Sequence, residues 1–331
     1  MAVDMKRDKE KHFQSEHRNH QKMHNEHRRL LITGATGYLG QHLIKKLIDD
    51  SNYLITIITR DKVKSRNKFS CQNMDFFDYS DMRDGHIQFN TFDFLIHLGF
   101  TREKHDYHQI AKSLETTNLL FNLAMMQRIN AIVNISSLNV YGLNKPPFWK
   151  ETDKLYPELP FGMAKFATEL ILRGVMLKEN SVKGTSLRLS ALSGGSIILN
   201  ENELICKLID QVLKNQQITI YGGQQWFERL DVHDAISAIV RLINIPPADW
   251  KPVYNLGANI NYSLSEIAEK VLNISKEFNL NYSYDIKTVI KEDKTAFGLD
   301  CSLFMNQMDW EPSISIDDTI RSVFLKKIQM K

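Results

Sequence analysis

The sequence predicts an α/β fold built on a doubly wound parallel sheet, and three observations carry the prediction. Short apolar runs suited to strands buried on both faces recur at 29–33, 53–59, 92–97 and 131–135. Helical periodicity fills the gaps, as in Leu39, Leu43, Ile44, Leu47 and Ile48 after the first run and the stretch from Leu114 to Ala124 before the last. The first run passes straight into Gly34-Ala35-Thr36-Gly37-Tyr38-Leu39-Gly40, a glycine turn opening a helix. Strands that alternate with helices pair in parallel, since each crossover needs a helix-length connection.

Composition limits what such a fold can do. The 331 residues are 43% hydrophobic and 24% charged, enough for one large core or two smaller ones. A net charge of +3, with Lys and Arg interleaved with acids, gives no patch that would call for nucleic acid or an anionic membrane. Cys71, Cys206 and Cys301 show no disulfide or zinc spacing, which fits reduced thiols in a cytoplasm. No run reaches the ~18–20 apolar residues of a membrane span.

Residues 1–28 stand apart. Almost free of aliphatic side chains, they hold His12, His17, His20, His24 and His27, five of the 11 histidines, and read as a disordered leader. Four of these histidines could share one helical face. With no cysteine or clear carboxylate partner, the reading is that no metal is bound. A start at Met23 would still leave a short lead-in to the first strand.

The glycine turn carries specific chemistry. Gly34 permits the tight turn, Gly37 lets backbone approach a pyrophosphate, and Gly40 lets the helix close on the strand. Free amides at the helix start then hold the anion. The second strand ends at Arg60, about 20 residues on, where the adenosine ribose is expected. An arginine there pairs with the 2′-phosphate of NADP, while Asp61 beside it keeps NAD open.

Further along, Ser136-Ser137-Leu138-Asn139-Val140-Tyr141-Gly142 closes the 131–135 strand, and a helix with Phe161-Gly162-Met163-Ala164-Lys165 follows. From these motifs the chain, over residues 29–328, resembles the extended short-chain dehydrogenase/reductases, the NAD-dependent epimerase/dehydratase family that acts mostly on nucleotide sugars. The resemblance implies a Rossmann-type sheet, with TGxxGxxG at Thr33–Gly40 and cofactor contacts from Gly34, Thr36, Gly37, Tyr38 and Leu39. It places the acid beside the adenine at Asp75, followed by Phe76, and matches HLAA to His97-Leu98-Gly99-Phe100, adding Leu98, Gly99 and Phe100. SSxxVYG is intact at 136–142, implying Ser137 and Asn139 for substrate. Ser186–Leu189, Tyr221–Gly223 through Asp231–Asp234, Tyr254–Gly257 and Asp309–Pro312 are similar to later signatures.

The same resemblance exposes departures. YxxxK stands here as Phe161 to Lys165, so the phenol that exchanges the substrate proton is missing. Lys165, expected to lower that phenol's pKa and to hold the nicotinamide ribose, remains, as does Ser137, which steadies the substrate oxygen. Tyr141–Lys145 reads literally as YxxxK but runs into Pro146-Pro147, so it is taken as a loop and a decoy. Tyr156, five residues before Phe161, is the candidate stand-in. A family asparagine counts onto Lys112, and the arginine that clamps the nucleotide pyrophosphate counts onto Phe227, with Arg229 two residues away, where a one-turn slip or local bulge could make it serve.

Two functions follow as expectations. One is an NADP-dependent nucleotide-sugar epimerase, reductase or dehydratase, NAD being the alternative cofactor. The other is a cofactor-loaded binding or regulatory subunit that has lost turnover. A smaller α/β substrate-binding domain is expected over most of 190–331, with a return to the 29–189 domain near 230–243. A homodimer joined through helices flanking the sheet is implied by the resemblance.

Overall fold

The computed structural model describes residues 27–69, 74–101, 103, 105–143, 147–280, 286–291 and 295–330. The leader's residues 1–26, with His12, His17, His20 and His24, lie outside them, as do Cys71 and Lys145. The strands are β1 (Arg28–Thr33), β2 (Tyr53–Thr59), β3 (Met74–Asp78), β4 (Phe94–His97), β5 (Ala131–Ser137), β6 (Lys183–Leu189), β7 (Ala191–Ser193), β8 (Thr219–Tyr221), β9 (Trp226–Asp231), β10 (Val253–Leu256), β11 (Asn261–Ser263) and β12 (Lys287–Val289). The helices are α1 (Tyr38–Ile48), α2 (Lys62–Lys68), α3 (Tyr79–Arg83), α4 (Tyr107–Met126), α5 (Pro160–Lys178), α6 (Leu204–Leu213), α7 (Val232–Ile243), α8 (Leu264–Ser275), α9 (Ser302–Met308) and α10 (Ile316–Gln329).

Seven parallel strands form the main sheet in the order β10-β6-β5-β4-β1-β2-β3. The chain leaves β1 toward β2 and β3, then returns to β4 on the other side. The strand order therefore reverses between β1 and β4, and a crevice opens there beyond the carboxyl ends. Alternation along each strand feeds both faces. Leu30 and Ile32 of β1 pack with Leu43, Ile44 and Leu47 of α1 and with Ala235, Ile236, Ile239 and Leu242 of α7. Leu31 points the other way, with Leu120 and Phe121 of α4 and Leu172 and Val175 of α5.

A separate core joins α6, α8 and α10 through Ile205, Ile209, Ile267, Val271, Ile320 and Phe324, beside the β11-β9-β7 and β12-β8 sheets. The chain enters and leaves that second core. Helix α7 packs on the main sheet. Strand β10 also joins that sheet next to β6, although at four residues its pattern is too short to announce a strand. Phe304 and Met308 of α9 lie in the same core.

Beneath the carboxyl ends of β5 and β6 lies a buried polar knot. Arg188 Nη2 is 2.8 Å from Glu169 Oε2, with side chains 5% and 10% exposed, and Ser136 Oγ donates to Glu169 Oε1. Arg188 Nη1 donates to the Tyr141 hydroxyl at 2.9 Å, which donates to Asn255 Oδ1 at 2.7 Å. The knot ties α5, β6, β10 and the loop after β5. Removing one member leaves the others buried and unpaired. Glu169→Ala is therefore expected to cost about 3–5 kcal/mol in a urea unfolding titration, and a loss under about 1 kcal/mol would mean the knot is solvated.

Candidate functional site

The turn after β1 is shaped by close backbone approach. Gly34 has φ +73°, and a Cβ there would lie 2.6 Å from Gly99 N; one on Gly40 would lie 2.2 Å from Gly34 O. The Gly37 amide closes the turn on Gly34 O at 2.9 Å, and Gly37 precedes α1 without a side-chain cap. The first amides of α1 therefore face the crevice without side-chain acceptors, and the cradle fits the diphosphate of a dinucleotide.

Thr33 and His97 brace this cradle. The Thr117 hydroxyl gives its hydrogen to Ser113 O at 2.8 Å, so it accepts from His97 Nε2 at 2.9 Å. His97 Nδ1 then accepts from Thr33 Oγ1 at 2.7 Å, and Thr33 Oγ1 accepts from Gly99 N at 3.1 Å. Burial holds the His97 pKa down to about 3, which keeps the imidazole neutral and the relay directional.

Gly34, Thr36, Gly37, Leu39, Leu98 and Gly99 are thus gathered at the crevice. Tyr38 contributes differently from a side-chain contact: its hydroxyl donates to Gly194 O at 2.8 Å, so its offering to an anion is its amide. The 194–197 segment is held against α1 from the other side as well, by Ile197 N donating to His42 Nε2 at 3.2 Å.

At the ribose end, Arg60 is exposed with no carboxylate partner among the described residues. The carboxylate of Asp61 is committed to capping α2, accepting from Lys64 N at 2.9 Å. Asp75 and Phe76 need correction. Register pairs Asp75 with Thr56 and Phe76 with Ile57, inside the strand, and Asp75 lines a surface hollow with Arg29, Leu54 and Phe92 toward the amino ends of the sheet. The acid at the carboxyl end of β3 is Asp78, opposite Thr59, and its carboxylate caps α3, accepting from Ser80 N at 2.9 Å and Asp81 N at 3.0 Å.

A second cluster lies where β5 ends. Gly162 lets α5 settle on the turn after β5, since a Cβ there would lie 2.4 Å from Asn139 O. This brings Ser137, Asn139, Phe161 and Lys165 into one neighbourhood. The Asn139 amide donates to Ser137 Oγ at 3.3 Å, leaving the serine hydrogen available. Lys165 is 5% exposed and donates to Ile135 O at 2.8 Å. Its Nζ lies 4.3 Å from the centre of the Phe100 ring and 5.8 Å from that of Phe161, and the two rings meet edge to face. Burial lowers its pKa to about 7, against the opposing pull of Glu169.

Tyr156 is not part of this cage: it is 58% exposed, and the rings against the lysine are phenylalanines. Tyr141, the literal YxxxK tyrosine, belongs to the structural knot, with burial raising its pKa to about 12.

On the substrate side β9 runs without a bulge. Phe227 pairs with Tyr262 of β11, and Arg229 pairs with Ala191 of β7. The slip that would put Arg229 in the clamp position is absent. Arg229 sits two residues along the same face, about 6–7 Å away, with its guanidinium 5.3 Å from the Phe227 ring and a buried Nε that has no hydrogen-bond partner. Glu228, facing the other way, accepts from Asn259 N at 2.7 Å and Leu299 N at 3.1 Å, tying β9 to the segments flanking β11 and α9. Nothing in the sequence distinguishes this buried carboxylate from a surface one.

The fold and cradle define a nicotinamide-dinucleotide enzyme family, and residues 30–257 match the model of the NAD dependent epimerase/dehydratase family. The chain belongs to that family. It is 24% identical over 320 residues to dTDP-4-dehydro-6-deoxyglucose reductase from Escherichia coli, covering 91% of this chain and 98% of the relative. To UDP-glucose 4-epimerase from Erwinia amylovora it is 22% identical, covering 89% and 96%. Among solved structures, UDP-glucose 4-epimerase of Thermotoga maritima with UDP-glucose superposes with a TM-score of 0.78 at 19% identity, covering 91% and 99%. The chain is thus a homologue of nucleotide-sugar epimerases and reductases.

Glu228 gives the site region a pH signature. Burial raises its pKa from 4.5 to about 7, against the amides that favour the carboxylate. A raised carboxyl pKa contributes stability that is fully present below the ordinary value and is lost as pH rises through the folded one. Melting temperature should therefore fall between about pH 5 and about pH 8. Glu228→Gln should flatten that slope while costing about 1–3 kcal/mol through one mismatched amide contact. An unchanged slope would assign the titration elsewhere.

Proposed function

We propose that the protein is an NADP-dependent oxidoreductase of nucleotide-linked sugars, of the epimerase, reductase or dehydratase type. The uncapped glycine cradle at the strand-order reversal carries the reading, because it presents amides to an anion and leaves no room for a side chain to fill it. The relatives' names supply the substrate class: a dTDP-sugar reductase and a UDP-sugar epimerase match nearly the whole chain.

The residues present divide the work. Ser137 keeps a hydroxyl hydrogen for the substrate oxygen, Asn139 stands beside it, and Lys165 is the residue that would hold a nicotinamide ribose. A bound nicotinamide supplies hydride transfer. Arg229, cationic and incompletely hydrogen-bonded, is the group offered to a substrate phosphate now that Phe227 holds the clamp position. Among the described residues no helix is long and apolar enough to cross a membrane. We place the reaction in the cytoplasm, where thiols such as buried Cys206 and Cys301 remain reduced.

Phe161 favours a second reading, a cofactor-binding subunit without turnover. Purified protein assayed with dTDP- and UDP-sugars decides between them. A change in nicotinamide absorbance or a new sugar product supports the enzyme; cofactor binding without either supports the subunit.

NADP is favoured over NAD because Arg60 is free of acids while Asp61 is committed to its helix. Arg60→Ala should weaken NADP by about 10–100-fold, the worth of a charged hydrogen-bonded pair, and leave NAD unchanged. Equal losses for both cofactors, read by fluorescence titration, would count against a 2′-phosphate contact.

A homodimer through α4 and α5 belongs to the same proposal. Met163, Leu170 and Leu177 stand 52%, 51% and 76% exposed at seven-residue spacing along α5. Leu170→Glu should convert a dimer to monomer in sedimentation equilibrium; a monomeric parent would remove the proposal.

A further inference from the structure

We propose that Lys165 itself carries the proton that the substrate oxygen releases or takes up, in place of the phenol absent from position 161. The inference rests on the oxidoreductase reading above.

Position is the first support. Lys165 follows Phe161 by four residues on α5, so ammonium and ring project from the same face, at 5.8 Å. The lysine therefore faces the region that a phenol at position 161 would face, beside the turn that carries Ser137.

Environment is the second. The family pattern has alanine where this chain has Phe100 and tyrosine where it has Phe161, so two phenylalanines now line the amine. The amine donates to the Ile135 carbonyl, and the nearby carboxylate, Glu169, is held by Arg188 and Ser136. Desolvation destabilises the ammonium, while the charge of Glu169 favours it. These opposed effects bring the two protonation states close in energy, and the amine titrates at about 7, where a proton carrier is most effective. A lysine whose task was only to hold a ribose would gain nothing from this poise.

Elimination is the third. Tyr156 is exposed, Tyr141 is locked between Arg188 and Asn255, and His97 is fixed in its neutral relay. Ser137 can pass a hydrogen but needs a base to receive it.

The step balances with a nicotinamide dinucleotide as two-electron partner. In oxidation the neutral amine takes the proton of the sugar hydroxyl and becomes ammonium. The C–H bond breaks with its electron pair, the hydrogen leaves as hydride to the oxidised nicotinamide, and the C–O bond becomes a carbonyl. In reduction the ammonium returns the proton to the carbonyl oxygen as hydride arrives on carbon.

Two measurements test the proposal on the full chain. Lysines labelled by carbon-13 reductive methylation, followed by NMR across pH with and without NADPH, should show one signal titrating near neutrality that vanishes in Lys165→Arg. A Lys165 signal titrating near the ordinary lysine value of about 10.4 overturns the proposal. Arginine keeps the cation but does not give up its proton. Lys165→Arg should therefore hold NADPH within about threefold of the parent while turnover falls by about 100-fold or more. Adding Phe161→Tyr to Lys165→Arg should restore at least about tenfold by returning a phenol. Turnover that survives Lys165→Arg overturns this inference alone; cofactor binding with no turnover by parent or Phe161→Tyr overturns it together with the oxidoreductase reading.

Discussion

The approach of backbone to backbone between Gly34 and Gly99 is the constraint on which the rest of the site depends. With a Cβ at position 34 lying 2.6 Å from Gly99 N, the carboxyl ends of β1 and β4 can meet only because neither carries a side chain there. That contact fixes where α1 begins, and so where its amides point. The buried relay from Thr117 through His97 to Thr33 and Gly99 keeps the two ends in register. Such a relay is worth having because the crevice between β1 and β4 is where strand order reverses and no strand connection closes the gap.

Of this, the glycine turn and the alternation of strands with helices were legible in the sequence. Strands buried on both faces leave short continuous apolar runs between segments of period 3.6, and glycine at a position demanding positive φ leaves a mark of its own. What could not be read depends on register. Asp75 and Asp78 carry the same chemistry three residues apart, and only the pairing of β3 with β2 shows which one reaches the carboxyl end. Strand β10 has four residues, too few for periodicity, and its membership in the main sheet is a tertiary fact. Arg229 depends likewise on whether β9 bulges, which the ladder with β7 and β11 alone decides.

Departures from a family pattern carry different weight according to what surrounds them. Phe227 in place of an arginine removes a cation, yet leaves a second guanidinium on the same face, stacked on the phenylalanine ring. The charge of the region survives while its position moves inward. Phe161 in place of tyrosine removes a proton carrier, and Phe100 in place of alanine adds a ring over the same lysine. The first change could pass as simple loss. The second has no reason to accompany a loss, since it adds volume at a place where a small residue is the pattern.

Two phenylalanines against one buried amine have a definite physical consequence. In the tyrosine arrangement a phenolate and an ammonium stabilise each other, so the lysine stays charged and the phenol is made acidic. Replacing the phenol by a hydrocarbon leaves the ammonium without a counter-charge, and burial then acts on the lysine alone. The acidity that the pair would place on oxygen is transferred to nitrogen. Glu169 still favours the ammonium, but Arg188 takes that carboxylate at 2.8 Å, and the knot beneath β5 and β6 thereby leaves burial as the larger effect on the amine. The structural ion pair and the poised lysine are consequences of one arrangement: a carboxylate on α5 turned toward β6, one helical turn beyond the lysine it would otherwise have silenced.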